Sequence, residues 1–588
     1  MISPDARRPA ASHFRWVICA LLFFSTTVNY MDRQVIGYLH EFFCRPAGAG
    51  GFGWTETDYG DVVAFFTGFY AGKTILAGWV IDKIGPKMGL ALSLVVWSVF
   101  GILNAFAGGL AAMHVLVRSA FGIGEAGNFP ASIKTVAEWF PKRERAFATG
   151  IFNSGSNCGA MIAALFVPWC LTYFGYEKGW KLAFIITGAV GFIWLIFWFW
   201  LYETPAKSKR LSQAEYELIH SDKDETGPED KSGKKISGSL FSLAGRAPRA
   251  AFWGLTLMIH ILCVFFYFIL YKIVGADVLH NKYSRTFLAA VALVAVAASF
   301  ALHVRRWHDQ NKSGWLALTY FIPVVAAFAA VAVWGFENPI YLVPFSLAVI
   351  AMVAAGFQSG ADGPGKFGNP ASPGLLGHRQ TWCFFVGKFM TDGVWWFYLF
   401  WLPAYLDTQF NIKGHAVMLP TFIVYGVAII GSVYGGSLPM MLMKRGMAVY
   451  QARMTAMFII ALCPLAVLTT QYFGNVSHFG TMALKYSIAV ICIGAAAHQA
   501  WSANLFTTVS DMFPKKAVGS VTGIGAMAGG LGGVIMPLFA ASLIQKYKQT
   551  AAPQTAYLIL FTICALSYLV AWAGMKLLVP RHKPISDL

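Results

Sequence analysis

Apolar stretches of about twenty residues, the length a helix needs to cross a bilayer, follow one another along most of this chain, with short polar segments between them. The pattern predicts a first block of six helical spans at 14–40, 58–80, 88–108, 111–136, 146–173 and 181–202. Residues 203–249 are rich in Lys, Glu, Asp, Ser and Gly and read as a solvated linker, with one short amphipathic helix near 212–219. A second block of six is predicted at 379–406, 414–442, 451–473, 483–509, 517–546 and 554–578. Between the blocks lie four more apolar runs, at 251–273, 286–303, 315–334 and 339–357, and then a Gly/Pro-rich stretch at 359–374. The expectation is an all-α polytopic membrane protein of about sixteen spans: a six-helix bundle in 1–203, a linker in 204–250, inserted helices in 251–374 and a second six-helix bundle in 375–588.

Composition supports that class. Hydrophobic residues make up 57% of the chain and charged residues 12%, against roughly 45–50% and 25% in soluble domains. The net charge of +18 does not point to nucleic acid, because the basic residues fall on alternate short loops. Arg7/Arg8/Arg15, Lys83/Lys87, Lys142/Arg143/Arg145, Arg305/Arg306/Lys312, Lys444/Arg445/Arg453 and Lys515/Lys516 all land on one side of the membrane. By the positive-inside rule that side is cytoplasmic, with both termini inside. Arg305-Arg306-Trp307-His308 reads as an interfacial anchor. The nine cysteines show no CxxC or Cys/His spacing and read as small buried hydrophobes. The first apolar run is long and lacks a small-residue cleavage site, so it reads as an uncleaved span.

The two blocks share an internal repeat. Glu138-Trp-Phe-Pro-Lys-Arg and Asp511-Met-Phe-Pro-Lys-Lys each join the fourth span of a block to the fifth, and each is followed at the same spacing by Thr-Gly-Ile, at 149–151 and 522–524. Parallel repeats of six spans point to a transporter with its substrate site near the midplane between them.

Ionisable residues inside spans are costly and mark sites that bind ions or relay protons. Asp32-Arg33 interrupts the first run, Arg118 and Glu125 lie seven residues apart in the fourth, and Lys388 and Asp392 are an i,i+4 pair in the second block's first span. Arg33 and Arg118 are candidates for a substrate carboxylate, which a guanidinium fork matches bidentately. Asp32 and Glu125 are alternative proton carriers, since burial raises a carboxyl pKa and a neighbouring arginine lowers it. Lys388 and Asp392 either neutralise each other or add a cation and a proton site. His498 is a further proton candidate, and Trp396 offers a face for a sugar ring. Gln499 and Asn504 in 483–509, and Asn153, Ser156 and Asn157 in 146–173, offer amide and hydroxyl groups for a polyol or for helix packing.

Gly78-Trp-Val-Ile-Asp82-Lys83-Ile-Gly85-Pro-Lys87 lies between the second and third spans and resembles the signature loop of the major facilitator superfamily. Asn29-Tyr-Met-Asp32-Arg33, Arg118 with Gly124-Glu125-Ala-Gly-Asn-Phe-Pro130, Glu138-Trp-Phe-Pro-Lys-Arg-Glu-Arg145 and Gly150-Ile-Phe-Asn153-Ser-Gly155 resemble its anion:cation symporters. Gly387-Lys388-Phe, Asp392-Gly-Val-Trp-Trp396 and His498-Gln499-Ala-Trp-Ser-Ala-Asn504 are most similar to the hexuronate branch. The resemblance covers both blocks but not 249–374. It implies import of a hexuronate with protons by alternating access, no cofactor or metal, and function as a monomer in a bacterial inner membrane. It also implies a binding-site role for Tyr70, proton coupling at Asp32 and Glu125, and a cytoplasmic gate built on Gly78, Asp82, Lys83, Gly85 and Lys87. Another organic anion (an aldonate, an aldarate or an aromatic acid) and a transporter-like sensor are the alternatives. No catalytic constellation accompanies these motifs, so an enzyme is not expected.

Overall fold

The computed structural model describes residues 12–221, scattered positions between 243 and 263, and 282–334, 342–358, 375–412, 414–549, 553–581 and 583–585. Among these the secondary structure is entirely helical, and nine helical stretches are long and apolar enough to cross a membrane. The chain divides into two compact units, one of residues 1–225 with 383–585 and one of residues 226–382 with 586–588.

The first unit holds both six-span blocks. Helix α1 is Phe14–Tyr38. Helix α2, Glu56–Leu103, starts in a capping box: Thr55 accepts from the Asp58 amide, and the Asp58 carboxylate accepts from Thr55. It joins the predicted second and third spans through a reversal at Gly85, where φ is 81°, a conformation glycine adopts without a Cβ penalty. The predicted fourth span is two helices, α3 (Ala111–Glu125) and α4 (Asn128–Trp139). Pro130 has no N–H for the Ala126 carbonyl, so the ladder is interrupted there. Helix α5, Lys142–Leu201, joins the fifth and sixth spans through Gly175 at φ 72°. The short linker helix α6, Gln213–Ile219, forms where predicted, capped by Ser212.

Three further helices, α7 (Lys282–Asp309), α8 (Leu318–Trp334) and α9 (Leu342–Phe357), belong to the second unit. The predicted run at 251–273, most of the 203–249 linker and the 359–374 stretch lie outside the described residues. The expected interfacial anchor is not one. Arg306 is fully buried, pairs with Asp309 at 2.5 Å, and donates from Nε to the Ala355 carbonyl at 3.0 Å. A buried guanidinium needs several acceptors, and the ends of α7 and α9 provide them.

The second block comprises α10 (Arg379–Phe410), α11 (Met418–Lys444), α12 (Val449–Leu462), α13 (Met482–Met512), α14 (Val518–Gln549) and α15 (Pro553–Leu578). After α12 the chain tightens into a 3₁₀ stretch, Cys463–Thr469, beginning at Pro464. The internal repeat is structural as well as sequential. Phe140 and Phe513 end α4 and α13 in extended conformation, and Pro141 and Pro514 begin the next elements with nearly identical angles (φ −64°, ψ 151° and φ −63°, ψ 147°).

Within this unit α1 packs on α5, α2 on α14, and α5 on α11. Trp97, Trp139, Trp198 and Trp501 are fully buried, while Phe106, Leu165, Ile196 and Trp200 are each more than 60% exposed. Exposed apolar surface of that kind is what a lipid-facing belt requires.

Candidate substrate cavity and the layer that closes it

A cavity of about 970 Å³ lies within the first unit, lined from both blocks. Of the residues singled out in the sequence, Arg33, Tyr70, Arg118, Asn153, Ser156, Lys388, Asp392, Trp396, His498 and Gln499 line it. Its lining continues to the helix ends at Tyr38, His40, Tyr59, Tyr176 and Met418, the side remote from Asp82.

Arg33 projects from α1 into a ring of aromatic side chains. Its guanidinium carbon is 4.6 Å from the Tyr30 ring centroid, 4.7 Å from Tyr70 and 5.9 Å from Trp396. Glu125 holds its Nε at 2.7 Å and does not itself line the cavity. The carboxylate thus grips the guanidinium from behind and leaves its outer edge toward the cavity. Arg118 is used differently: its Nη2 donates to the Arg33 carbonyl at 2.9 Å and its Nη1 to the Asp32 carbonyl at 3.4 Å. It ties α3 to α1. Asp32, 2% exposed, points away from the cavity, and neither of its carboxylate oxygens has a hydrogen bond of normal geometry. One Glu125 oxygen and the Arg118 Nε are likewise open.

On the opposite wall Lys388 and Asp392 pair at 2.6 Å, with the Lys388 ammonium 4.3 Å from the Phe506 ring. His498 is stacked on Trp395 (4.9 Å, 8°) and its Nδ1 meets the Tyr568 hydroxyl at 2.8 Å. Asn153 donates to Gln499 at 2.8 Å, joining α5 to α13. Ser156 turns its hydroxyl to the Asn153 carbonyl. Two of the substrate-binding candidates stand outside the cavity. Asn504 donates to the Gly435 and Ala500 carbonyls at 2.8 and 2.9 Å and glues α13 to α11. Asn157 is buried with both amide atoms unpartnered.

The signature loop lies beyond the cavity floor. The Asp82 carboxylate accepts from the Gly519 amide (3.0 Å), the Ser520 amide and hydroxyl (2.6 Å each) and Lys134 Nζ (2.9 Å). It therefore caps the start of α14, an element more than 400 residues away, where a carboxylate also meets the positive end of the helix dipole. A Cβ at Gly78 would stand 2.2 Å from the Gly519 carbonyl oxygen, so glycine permits this approach. Lys87 and Lys83 are not in the network. Lys87 pairs with Glu203 at 2.5 Å, and Lys83 lies over the Trp79 ring at 3.6 Å. The cations joining the blocks are others: Arg145 donates to the Ser510 carbonyl at 2.6 Å, and Arg453 reaches Asp511 at 2.6 Å and the Lys142 carbonyl at 3.1 Å. Their signal was present in the repeat, which carries Arg145 and Asp511, and in Lys134, a lysine inside an apolar run.

Comparisons with known proteins place this arrangement. The hexuronate transporter of Escherichia coli K12 is 33% identical over 244 residues, 41% of this chain and 52% of that transporter, so the match spans about half of the relative's length. A galacturonate transporter of Dickeya chrysanthemi is 33% identical over 35% of this chain and 57% of its own. The D-galactonate transporter of Escherichia coli O6:H1 is 22% identical over 96% of both chains. The proton:xylose symporter XylE shares the fold, with a TM-score of 0.54 at 13% identity over 98% of both chains. The sequence profile of the Major Facilitator Superfamily matches residues 22–364. The chain is a multi-pass membrane protein and belongs to the Major Facilitator Superfamily.

Proposed function

We propose that this transporter imports a sugar-acid anion, a hexuronate, together with protons by alternating access. The observation that carries the reading is Arg33: a guanidinium oriented by Glu125 from behind at 2.7 Å, set among tyrosines and a tryptophan in the wall of a cavity built from both blocks. Such a group binds a carboxylate with charge-assisted hydrogen bonds, and the surrounding rings cover the apolar face of a sugar. Asn153, Ser156 and Gln499 offer partners for hydroxyls. Asp32 and Glu125 are the proton sites of this reading, because each has a carboxylate oxygen still open. Arg118 positions Arg33 and Asp32 through their carbonyls.

The Asp82 layer is the cytoplasmic gate and is closed, so the cavity faces outward. Both termini lie in the cytoplasm of a bacterial inner membrane. The two six-helix bundles form the transport body, the inserted runs add four spans to make sixteen, and the monomer is the working unit. An aldonate is the second reading, favoured by the near full-length match to a galactonate transporter.

Proteoliposomes given an inward proton gradient test this directly: D-galacturonate accumulates above its external concentration. Uptake indifferent to the gradient defeats coupling, and no saturable uptake of any sugar acid defeats the substrate assignment.

A further inference from the structure

Two ion pairs face the same cavity, and they are built in opposite senses. In the first block the cation is on the wall and the acid is behind it: Arg33 lines the cavity, and Glu125 is fully buried outside the lining. In the second block both members line the cavity, and the acid is the more open one, with the Asp392 side chain 18% exposed and Lys388 6%. Asp392 also packs closely on α14, since a Cβ on Gly529 would stand 2.1 Å from Oδ2, the oxygen that pairs with Lys388. Trp396, on the same helix as Asp392, lies 5.9 Å from the Arg33 guanidinium carbon, and Arg33, Lys388, Asp392 and Trp396 all line one cavity, so the two pairs share one compartment.

We infer that the Lys388–Asp392 pair is a charge filter that limits this transporter to substrates with one carboxylate. The inference rests on the sugar-acid reading and sharpens it. One end of the cavity presents a guanidinium edge with no competing acid in the wall. The other presents a carboxylate whose charge already masks Lys388, the one further wall cation among the described residues that is not engaged with backbone carbonyls. A monocarboxylate polyol satisfies both ends, with its carboxylate on Arg33 and a hydroxyl donating to Asp392. A dicarboxylate sets its second anion against Asp392, and like charges at contact distance in a partly desolvated site disfavour binding.

The test uses galactonate and galactarate, which differ only in CH₂OH against COO⁻ at one end, competing for the purified full-length protein in nanodiscs at pH 7. The wild type is expected to prefer galactonate by about tenfold or more, a difference of the size one added like charge produces. Asp392→Asn is expected to bring the two within about threefold, because the repulsion of the second carboxylate is gone. The double variant K388D/D392K keeps an i,i+4 pair, moves the cation forward and is expected to accept galactarate as well; it reads the same ratio if the single variant does not fold. A wild type that binds both ligands equally, or variants that leave the ratio unchanged, overturns the filter. Pentanoate against glutarate runs in parallel. If no sugar acid binds, the sugar-acid reading fails, while this second matched pair still decides whether one carboxylate or two is admitted.

Discussion

The charges around Asp82 and those around Arg33 contrast in one respect, completeness. The Asp82 carboxylate has four donors, Lys134 among them, and Arg453 and Arg145 each reach a carbonyl across the blocks. Around Arg33, between α1 and α3, the pattern changes. Asp32 has no partner of normal geometry, Glu125 and Arg118 each keep one open atom, and Arg33 turns an edge to the cavity. A satisfied buried network holds one conformation, whereas an unsatisfied one is costly until a ligand or proton completes it. The first arrangement suits a lock and the second a site.

The sharpest way to break this contrast is at Arg33. Arg33→Gln removes the charge and leaves Glu125 without its partner; sugar-acid affinity is expected to fall by about a hundredfold, the scale of a lost charge-assisted bidentate contact. Competition binding measures it, and unchanged affinity removes Arg33 from the site. Arg118→Gln separates positioning from contact: because its donors go to backbone carbonyls, it should lower thermal stability by roughly 1–3 kcal/mol and weaken every ligand alike.

Next in size is the lock itself. Asp82→Asn keeps the shape but loses the ion pair with Lys134 and the favourable charge at the start of α14. The expected outcome is a shift of about tenfold from the closed toward the open state on the Asp82 side. Spin-label distances between α2 and α14 read the shift, and a distribution identical to wild type would show that the carboxylate does not hold the gate. Lys87→Gln is the matched control, since among the described residues Lys87 forms its ion pair with Glu203 of its own block; it should leave the distribution unchanged.

Asn504→Ala probes glue instead of site. The amide holds α13 to α11 through two carbonyls, so its loss should cost about 1 kcal/mol of stability with substrate affinity unaltered. A specific loss of affinity at full stability would return Asn504 to the binding residues.

These contrasts explain what the sequence could and could not disclose. Apolar run length and breakers are local, so the ends of most of the described helices were legible to within a few residues, and so was the helix at Gln213–Ile219. Arg33, Lys388 and Asp392 were legible as charges in apolar runs. Partnership is not local. That Asp82 meets Ser520 rather than Lys87, or that Arg306 turns inward to Ala355 instead of out to an interface, depends on which helices become neighbours. Asn153 and Asn504 illustrate the same limit from the other side: both are amides in apolar spans, yet one faces the cavity and the other a helix seam.

The smallest effect lies where the linker meets the first helix. Glu215 on α6 accepts from the Ser12 hydroxyl, the Phe14 and Arg15 amides (3.0 and 3.1 Å) and Arg15 Nη1 (2.9 Å), while Arg15 also holds Glu144. Burial alone would raise this carboxyl, but those four donors together hold it below its ordinary 4.5. A carboxyl lowered on docking stabilises the docked state fully above its ordinary value and loses that contribution as pH falls toward the depressed one. Hydrogen exchange of residues 213–219 should therefore be slow and pH-corrected-constant from neutrality down to about pH 5, then accelerate below it. Glu215→Gln should exchange rapidly throughout, with transport intact, because this clamp is complete in the way the Asp82 layer is and touches nothing in the cavity. If the acid-induced loosening persists in Glu215→Gln, another group controls the linker.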